Sequence, residues 1–272
     1  MRPYHVTARN TATESDNKIH DDAVARLYGF SGGLVPGVIV HAYLTHPPVE
    51  RWGAEWLAAG TIKARFHRPV YDGDDVTVEP DHPAVEPDRS TLEALVVRTP
   101  STDRAAVAEI GAPVEPADQT IDLTRWPHLP LPRAGERPPA SEEAFAERPM
   151  LGALDAVVID DGYLESIGET LPIYRAEGIG HPGWLIAQAN YVLAANVLLG
   201  PWIHVESDVR HLGLVHDGDV VSTRAAVLGT SERKGHRFVE LDVLIVDGSE
   251  QPVLRARHLA IYQPRKDVHR DH

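Results

Sequence analysis

Hydrophobic and polar residues alternate along several short segments, and this pattern predicts β-strands with one buried face. In the first half of the chain Ile62, Ala64 and Phe66 alternate with polar residues. The second half has two longer alternating segments, with apolar residues at Val239, Leu241, Val243 and Ile245 and at Leu254, Ala256, Ala260 and Tyr262. Short Asp-Gly turns connect neighbouring strands, so we expect an antiparallel sheet.

Two long apolar segments predict the helices that cover this sheet. One follows Pro36-Gly37, and the other runs from Trp184 to Leu199 after Pro182-Gly183. The second segment is short for a membrane span and is interrupted by polar amides, so it is interpreted as a core helix. Proline at 47 and 48 predicts that the first helix kinks or restarts before Val49.

The two halves repeat the same order of elements, which indicates an internal duplication. Pro36-Gly37 and Pro182-Gly183 are 146 positions apart, whereas Asp72-Gly73-Asp74 and Asp217-Gly218-Asp219 are 145 apart. Three further pairs share the second offset: Arg65 with Arg210, Val70 with Val215, and Val76 with Val221. We therefore predict two α+β domains, residues 1–111 and 151–272, each an antiparallel sheet wrapped around a long helix.

Residues 112–150 between the repeats are rich in proline and show no sustained periodicity. They are interpreted as a linker. Its apolar residues indicate that part of it packs against the body of the protein, namely Ile121, Leu123, Trp126 and Leu129.

The segment from Glu14 to Asp22 places an imidazole among carboxylates. Such neighbours are expected to raise the pKa of His20 and to orient its ring. Asp16 lies four positions before His20, so the two side chains share a face in either a helix or a strand. The alternative is that the acids cap a helix and the histidine is incidental.

A glycine-rich loop, Gly32 to Gly37, leads into the first long helix. Amides in the first turn of a helix lack intrahelical acceptors and lie at the positive end of the helix dipole, so they can hold a developing oxyanion. The alternative is that the glycines only allow helix and sheet to pack closely.

These two segments together resemble the MaoC-like, or (R)-specific enoyl-CoA hydratase, family of hotdog proteins. The family motif Asp-x-Asn-Pro-Ile-His is matched by Ser15-Asp16-Asn17-Lys18-Ile19-His20, with serine in place of the aspartate and lysine in place of the proline. The segments 28–37 and 66–74 resemble the family's loop into its central helix and the strand and turn that close its sheet.

The resemblance implies a tandem (double) hotdog that hydrates a 2-enoyl thioester or dehydrates a 3-hydroxyacyl thioester. His20 and Asp16 would transfer protons, Asn17 belongs to the same motif, and the Gly37 amide would bind the thioester oxygen. Coenzyme A phosphates would meet Arg65, Arg68 and, in a charged hairpin, Lys234. No redox cofactor is implied, and no metal.

In the second copy Ser166 occupies the position of His20 at the longer offset, so we expect one site per chain. His181 lies at the second helix start and is interpreted as a packed loop residue.

Two alternatives to the hydratase stay open: a hotdog thioesterase, which needs a carboxylate to activate water, and a non-catalytic protein that binds acyl thioesters.

Charge and composition limit the classes of binding partner that we expect. A formal net charge of −14 disfavours nucleic-acid binding. The chain has no cysteine and no apolar N-terminal signal, so a cytoplasmic location is expected, with an acyl thioester as ligand and a homodimer as an option. The 15 histidines are scattered without a metal-binding motif.

Overall fold

One ten-stranded antiparallel sheet organises the chain in the computed structural model, which describes residues 1–81, 92–114, 121–133, 135–160 and 162–266. The first half contributes β1 (Tyr4–Thr7), β2 (Thr61–Phe66), β3 (Asp75–Pro80), β4 (Leu92–Thr99) and β5 (Thr102–Gly111). The second half contributes β6 (Leu154–Val157), β7 (Ile203–His211), β8 (Val220–Arg233), β9 (His236–Asp247) and β10 (Pro252–Gln263). The strand order is β1-β3-β4-β5-β2-β7-β10-β9-β8-β6. Read outward from the central β2–β7 pair, the second half repeats the first, so the predicted duplication is confirmed.

Seven helices are present in the described ranges: α1 (Asp22–Arg26), α2 (Gly37–Trp52), α3 (Ala54–Ala59), α4 (Glu142–Glu147), α5 (Tyr163–Ser166), α6 (Pro172–Glu177) and α7 (Pro182–Asn196). The two long helices, α2 and α7, pack against each other and against the sheet. Their apolar residues share one hydrophobic core with the inward residues of the strands, including Ile62, Ala64, Leu241 and Val243. The tandem α+β architecture is therefore as predicted. No helix within the described ranges is long and apolar enough to span a membrane.

The two halves join through the antiparallel pair β2–β7. Thr61 faces Arg210, and Arg65 faces Glu206. At the offset of 145 Thr61 is equivalent to Glu206 and Arg65 to Arg210, so these two pairs are equivalent to each other, and Lys63 faces Asp208, its own equivalent. The register of the junction thus places a local two-fold axis at Lys63 and Asp208.

The expectation that the first helix restarts before Val49 is wrong. The helix continues through Pro47 and Pro48 and ends at Trp52, and the chain turns at Gly53, where φ is +58°. Only glycine adopts such a φ without strain, so the break falls there and not at the prolines. Both prolines lie inside the continuous helix, and both are buried.

The segment between β5 and β6 packs partly onto the sheet. Trp126 is buried against Leu244 and Val246, and its indole Nε1 donates to the carbonyl of Asp242 at 3.1 Å. Ile121 and Leu123 pack beside it, whereas Leu129 is exposed. Residues 115–120 and 134 of the predicted linker lie outside the described residues.

Candidate active site

A cavity of about 230 Å³ lies between the two halves, beside the first turn of α2. His20 and Gly37 border it from the first half, and Asn190, Trp202 and His204 from the second. Most of the other lining side chains are apolar, among them Ile19, Phe30, Leu34, Val40, Phe66 and Ile261. His20 also borders an adjoining groove of about 1070 Å³. The imidazole therefore stands where an apolar pocket opens into a wider channel.

Hydrogen bonds fix the tautomer of His20. Its Nδ1 lies 2.7 Å from the carbonyl oxygen of Leu34, which can only accept, so Nδ1 carries the proton. Its Nε2 lies 3.3 Å from the amide nitrogen of Asn17, which can only donate. Both contacts place the lone pair of the neutral ring on Nε2, where it accepts from Asn17 Nδ2, and a general base needs this unprotonated nitrogen.

Asn17 joins the His20 turn to the second half. Its Oδ1 accepts from the backbone N–H of Trp202 at 3.1 Å, and its Nδ2 donates to the carbonyl of Trp202 at 3.0 Å. The same Oδ1 accepts from the N–H of Ile19 and caps the short 3₁₀ turn Lys18–His20. Asn17 is buried, and its contacts orient His20.

The glycine-rich loop packs directly against the main chain of His20. The N–H of Leu34 donates to the carbonyl of Ile19 at 3.2 Å, and that of Gly33 donates to a carboxylate oxygen of Asp22 at 2.8 Å. A Cβ at position 33 would overlap the carbonyl oxygen of His20. Gly33 is therefore required by this close approach.

Replacing Gly33 with alanine should move the loop away from His20, destabilise the fold by about 1–3 kcal/mol and lower turnover. Gly32→Ala is the matched control, because its Cβ would meet side chains and no backbone atom, with Asp22 Oδ1 at 3.1 Å and Tyr71 Cδ1 at 4.0 Å. Urea unfolding and steady-state kinetics of both variants test this. Equal effects at 32 and 33 would contradict it.

The carboxylates around His20 do not act on its ring, which corrects the sequence-based expectation. Asp21 caps α1 through the N–H of Val24, and Asp22 pairs with Arg26 at 3.1 Å. Asp16 is exposed at the edge of the groove and, within the described residues, makes no hydrogen bond to His20. The ring is oriented by a carbonyl and an amide instead.

The expected rise in the pKa of His20 is also wrong. Burial of the ring lowers its pKa, and the bond to the Leu34 carbonyl offsets this only in part. The acids are neighbours in sequence but face away, whereas the residues that bury the ring are distant in sequence. His20 is thus neutral at neutral pH.

Gly37 is the first residue of α2, and its N–H has no acceptor within the described residues. The amides of Ile39 and Val40 already donate to the carbonyl of Pro36. The Gly37 amide therefore stays available at the positive end of the helix, on the cavity that His20 borders.

The second half lacks this amide. Val35 N–H donates to Val70 O, and Gly180 N–H donates to Val215 O, so the loops match at an offset of 145. This corrects the pairing of Pro36-Gly37 with Pro182-Gly183, because Gly37 corresponds to Pro182, which has no N–H.

The next amide in the second half, that of Gly183, is also occupied. It donates to Nδ1 of His181 at 3.0 Å, and His181 is buried at the start of α7, where it lines a second cavity of about 150 Å³. The first two residues of α7 thus offer no free amide, and the imidazole at this helix start, that of His181, lies 3.6 Å from the carboxylate of Glu169.

At the corrected offset of 145 the equivalent of His20 is Glu165 and not Ser166. Glu165 is exposed in α5, and the hydroxyl of the neighbouring Ser166 donates to the carbonyl of Tyr163.

Of the three cations expected to bind coenzyme A, one borders the cavity. Arg68 lines it and also borders a surface pocket with His67 and Arg104. Arg65 pairs with Glu206 at 2.6 Å and, like Lys234 in the β8–β9 turn, lines neither the cavity nor the groove. The pKa of His67 is lowered first by burial and then by Arg65, Arg104 and Arg68. The three arginines thus create a positive field around His67, where the cavity meets the surface pocket.

The second-half residues of the site were missed by sequence reasoning. His204 lies in β7, Trp202 directly precedes that strand, and Asn190 lies in α7. They carry no local motif, and only the pairing of β2 with β7 brings them to His20. Among the described residues no group of three or more His, Asp or Glu side chains could hold a metal ion.

No protein-family model and no curated protein matches this sequence. Solved structures do match over nearly the whole chain. Rv0216 from Mycobacterium tuberculosis, described as a double hotdog, is 18% identical, with a TM-score of 0.54 over 96% of this chain and 95% of that one.

Two further structures differ in the activity that their names give. A protein named as a MaoC domain dehydratase from Chloroflexus aurantiacus is 12% identical, with a TM-score of 0.58 over 97% of this chain and 95% of that one. One named as an oleoyl thioesterase from Lactobacillus plantarum is 15% identical, with a TM-score of 0.52 over 97% and 96%. At these identities the likeness concerns the fold, and the chain has a double hotdog fold.

Proposed function

We propose that this protein is a hydratase or dehydratase that acts on 2-enoyl or 3-hydroxyacyl thioesters. The observation that carries the proposal is the shared cavity of His20 and Gly37, in which a neutral imidazole presents a lone pair beside a free helix N-terminal amide. Names of structures with the same fold, among them a MaoC-like dehydratase, agree with this class of reaction.

His20 supplies the proton transfer. Nε2 takes a proton from water while the water oxygen bonds to C3 of the enoyl group, and the electron pair moves to the thioester oxygen. The resulting imidazolium then returns the proton to C2. No Asp or Glu lines the described cavity, and of the histidines that line it only His20 also borders the groove, so we assign both transfers to His20.

The Gly37 amide binds the thioester oxygen, on which the negative charge of the enolate develops. A fixed N–H in an apolar cavity stabilises this charge more strongly than water does, because no reorganisation is needed. Arg68, which also lines the cavity, is the cation placed to meet the phosphates of a coenzyme A thioester.

Turnover of crotonyl-CoA tests the proposal. We expect loss of the enoyl absorbance without release of free thiol, and reaction in D₂O should add deuterium and hydroxyl to the same face, because one group serves both steps. Thiol release with the enoyl group intact would show a thioesterase, the alternative that the groove carboxylates Glu14 and Asp16 would serve. Binding without conversion would show a non-catalytic protein.

A further inference from the structure

A second imidazole borders the cavity and belongs to a buried hydrogen-bonded chain. His204 of β7 is 5% exposed, and its Nε2 lies 2.8 Å from the hydroxyl of Ser207. That hydroxyl lies 2.9 Å from Nδ1 of His258 in β10. The His204 and His258 rings stack with centroids 4.3 Å apart. Three polar side chains from two strands thus form one unit beneath the site.

A β-bulge brings this unit together. His204 faces Ala260 and Glu206 faces Leu259, so Val205 is an extra residue in β7. Residues three apart in a regular strand face opposite sides, but the extra residue turns His204 and Ser207 to the same buried side. Bulges of this kind are frequent beside active sites, where they redirect a side chain.

The remaining nitrogen of His204 is directed at the start of α2. Nδ1 is buried without a hydrogen-bond partner among the described residues, and a Cβ at position 37 would lie 2.9 Å from it. The neighbouring Gly37 N–H also lacks an acceptor there. An unpaired buried nitrogen costs stability, so its retention calls for an explanation.

We propose that His204 is a second catalytic donor to the thioester oxygen, with Nδ1–H acting beside the Gly37 amide. This inference rests on the proposed function, but it holds for any reaction that places negative charge on that oxygen. Ser207 and His258 are positioning residues. When His258 Nδ1–H donates to Ser207 and Ser207 donates to Nε2 of His204, the single proton of the neutral His204 ring resides on Nδ1.

The ring stays neutral because of its surroundings. Burial, and then the neighbouring His258 and His41, lower the pKa of His204 far below its usual value, and an interaction with the backbone of Glu206 offsets this only in part. A neutral imidazole can donate one hydrogen bond without bringing a charge into the apolar cavity, and water exclusion strengthens that bond.

The test measures polarisation of a bound carbonyl instead of turnover. Crotonyl-CoA labelled with ¹³C at the carbonyl is bound to His20→Ala protein, and the infrared carbonyl stretch is recorded. We expect a shift to lower frequency that is diminished by adding His204→Leu and kept on adding His211→Leu. His211 is the matched control, because it is a buried histidine of the same strand that lines neither the cavity nor the groove.

In the otherwise unchanged protein, His204→Leu should lower kcat about 100-fold with little change in KM. His204→Asn, whose amide can donate from nearly the same place, should recover part of this loss and covers the case in which the leucine variant does not fold. An undiminished carbonyl shift in both His204 variants overturns the role of His204. Failure of the His20→Ala protein to bind crotonyl-CoA overturns the proposed function as well.

Discussion

Replacing His20 with alanine lowers the kcat for hydration of crotonyl-CoA by about 10²–10⁴-fold, the range of a general acid–base group. We expect a large effect because, in the proposed mechanism, one imidazole removes and returns the proton, and no carboxylate lines the described cavity to replace it. The fold should persist, since His20 is only partly buried. Steady-state kinetics measure the loss of kcat, and circular dichroism measures whether the fold persists.

Asp16→Asn is the matched control for this result. Asp16 is exposed and makes no hydrogen bond to His20 within the described chain, so we expect a change of only a few-fold. The acid limb of kcat/KM should lie below pH 6.5, because burial lowers the pKa of His20 from that value and keeps the base neutral at lower pH. A loss in Asp16→Asn as large as that in His20→Ala would restore the carboxylate to the mechanism.

Replacing each of two histidines of α2 with leucine should affect the free energy of unfolding differently. His46 is buried and donates from Nδ1 to the buried carboxylate of Glu169 at 2.9 Å, so His46→Leu should lower the free energy of unfolding by about 3–5 kcal/mol. His41 is fully buried, and neither ring nitrogen has a partner among the described residues. His41→Leu exchanges an unsatisfied polar ring for an apolar chain and should be neutral or stabilising.

Urea unfolding at several pH values measures this pair. Burial alone would raise the pKa of Glu169, but His181 and His46 lower it from 4.5 to about 2. Because the folded pKa is depressed, the contribution of Glu169 to stability is complete above about pH 4.5 and is lost as the pH falls toward 2. His46→Leu should weaken this acid dependence, and equal losses in both leucine variants would argue against the pairing.

The architecture could be predicted because it depends on repeated local patterns. Period-2 alternation at Ile62, Ala64 and Phe66 matches β2, and the Asp-Gly-Asp turns set the offset that the β2–β7 register obeys. The Pro-Gly pairs were misleading by one position, because proline suits the first residue of a helix as well as its cap.

The site could be predicted only in part. His20, Asn17 and Gly37 come from one short segment and meet at the cavity. His204 could not be found by alternation, because Ser207, Val209 and His211 set the buried phase of β7 and a bulge shifts residue 204 into it. The protonation of His20 depends on packing that local sequence does not encode.

The junction at Lys63 and Asp208 has a consequence for how the protein can change over time. In a symmetric pair of identical chains, a proline at the helix start would delete the amide from both pockets at once. Here Pro182 deletes one and leaves Gly37 untouched. Covalent joining thus lets the two halves diverge at equivalent positions, so a change at one helix start leaves the other unaltered.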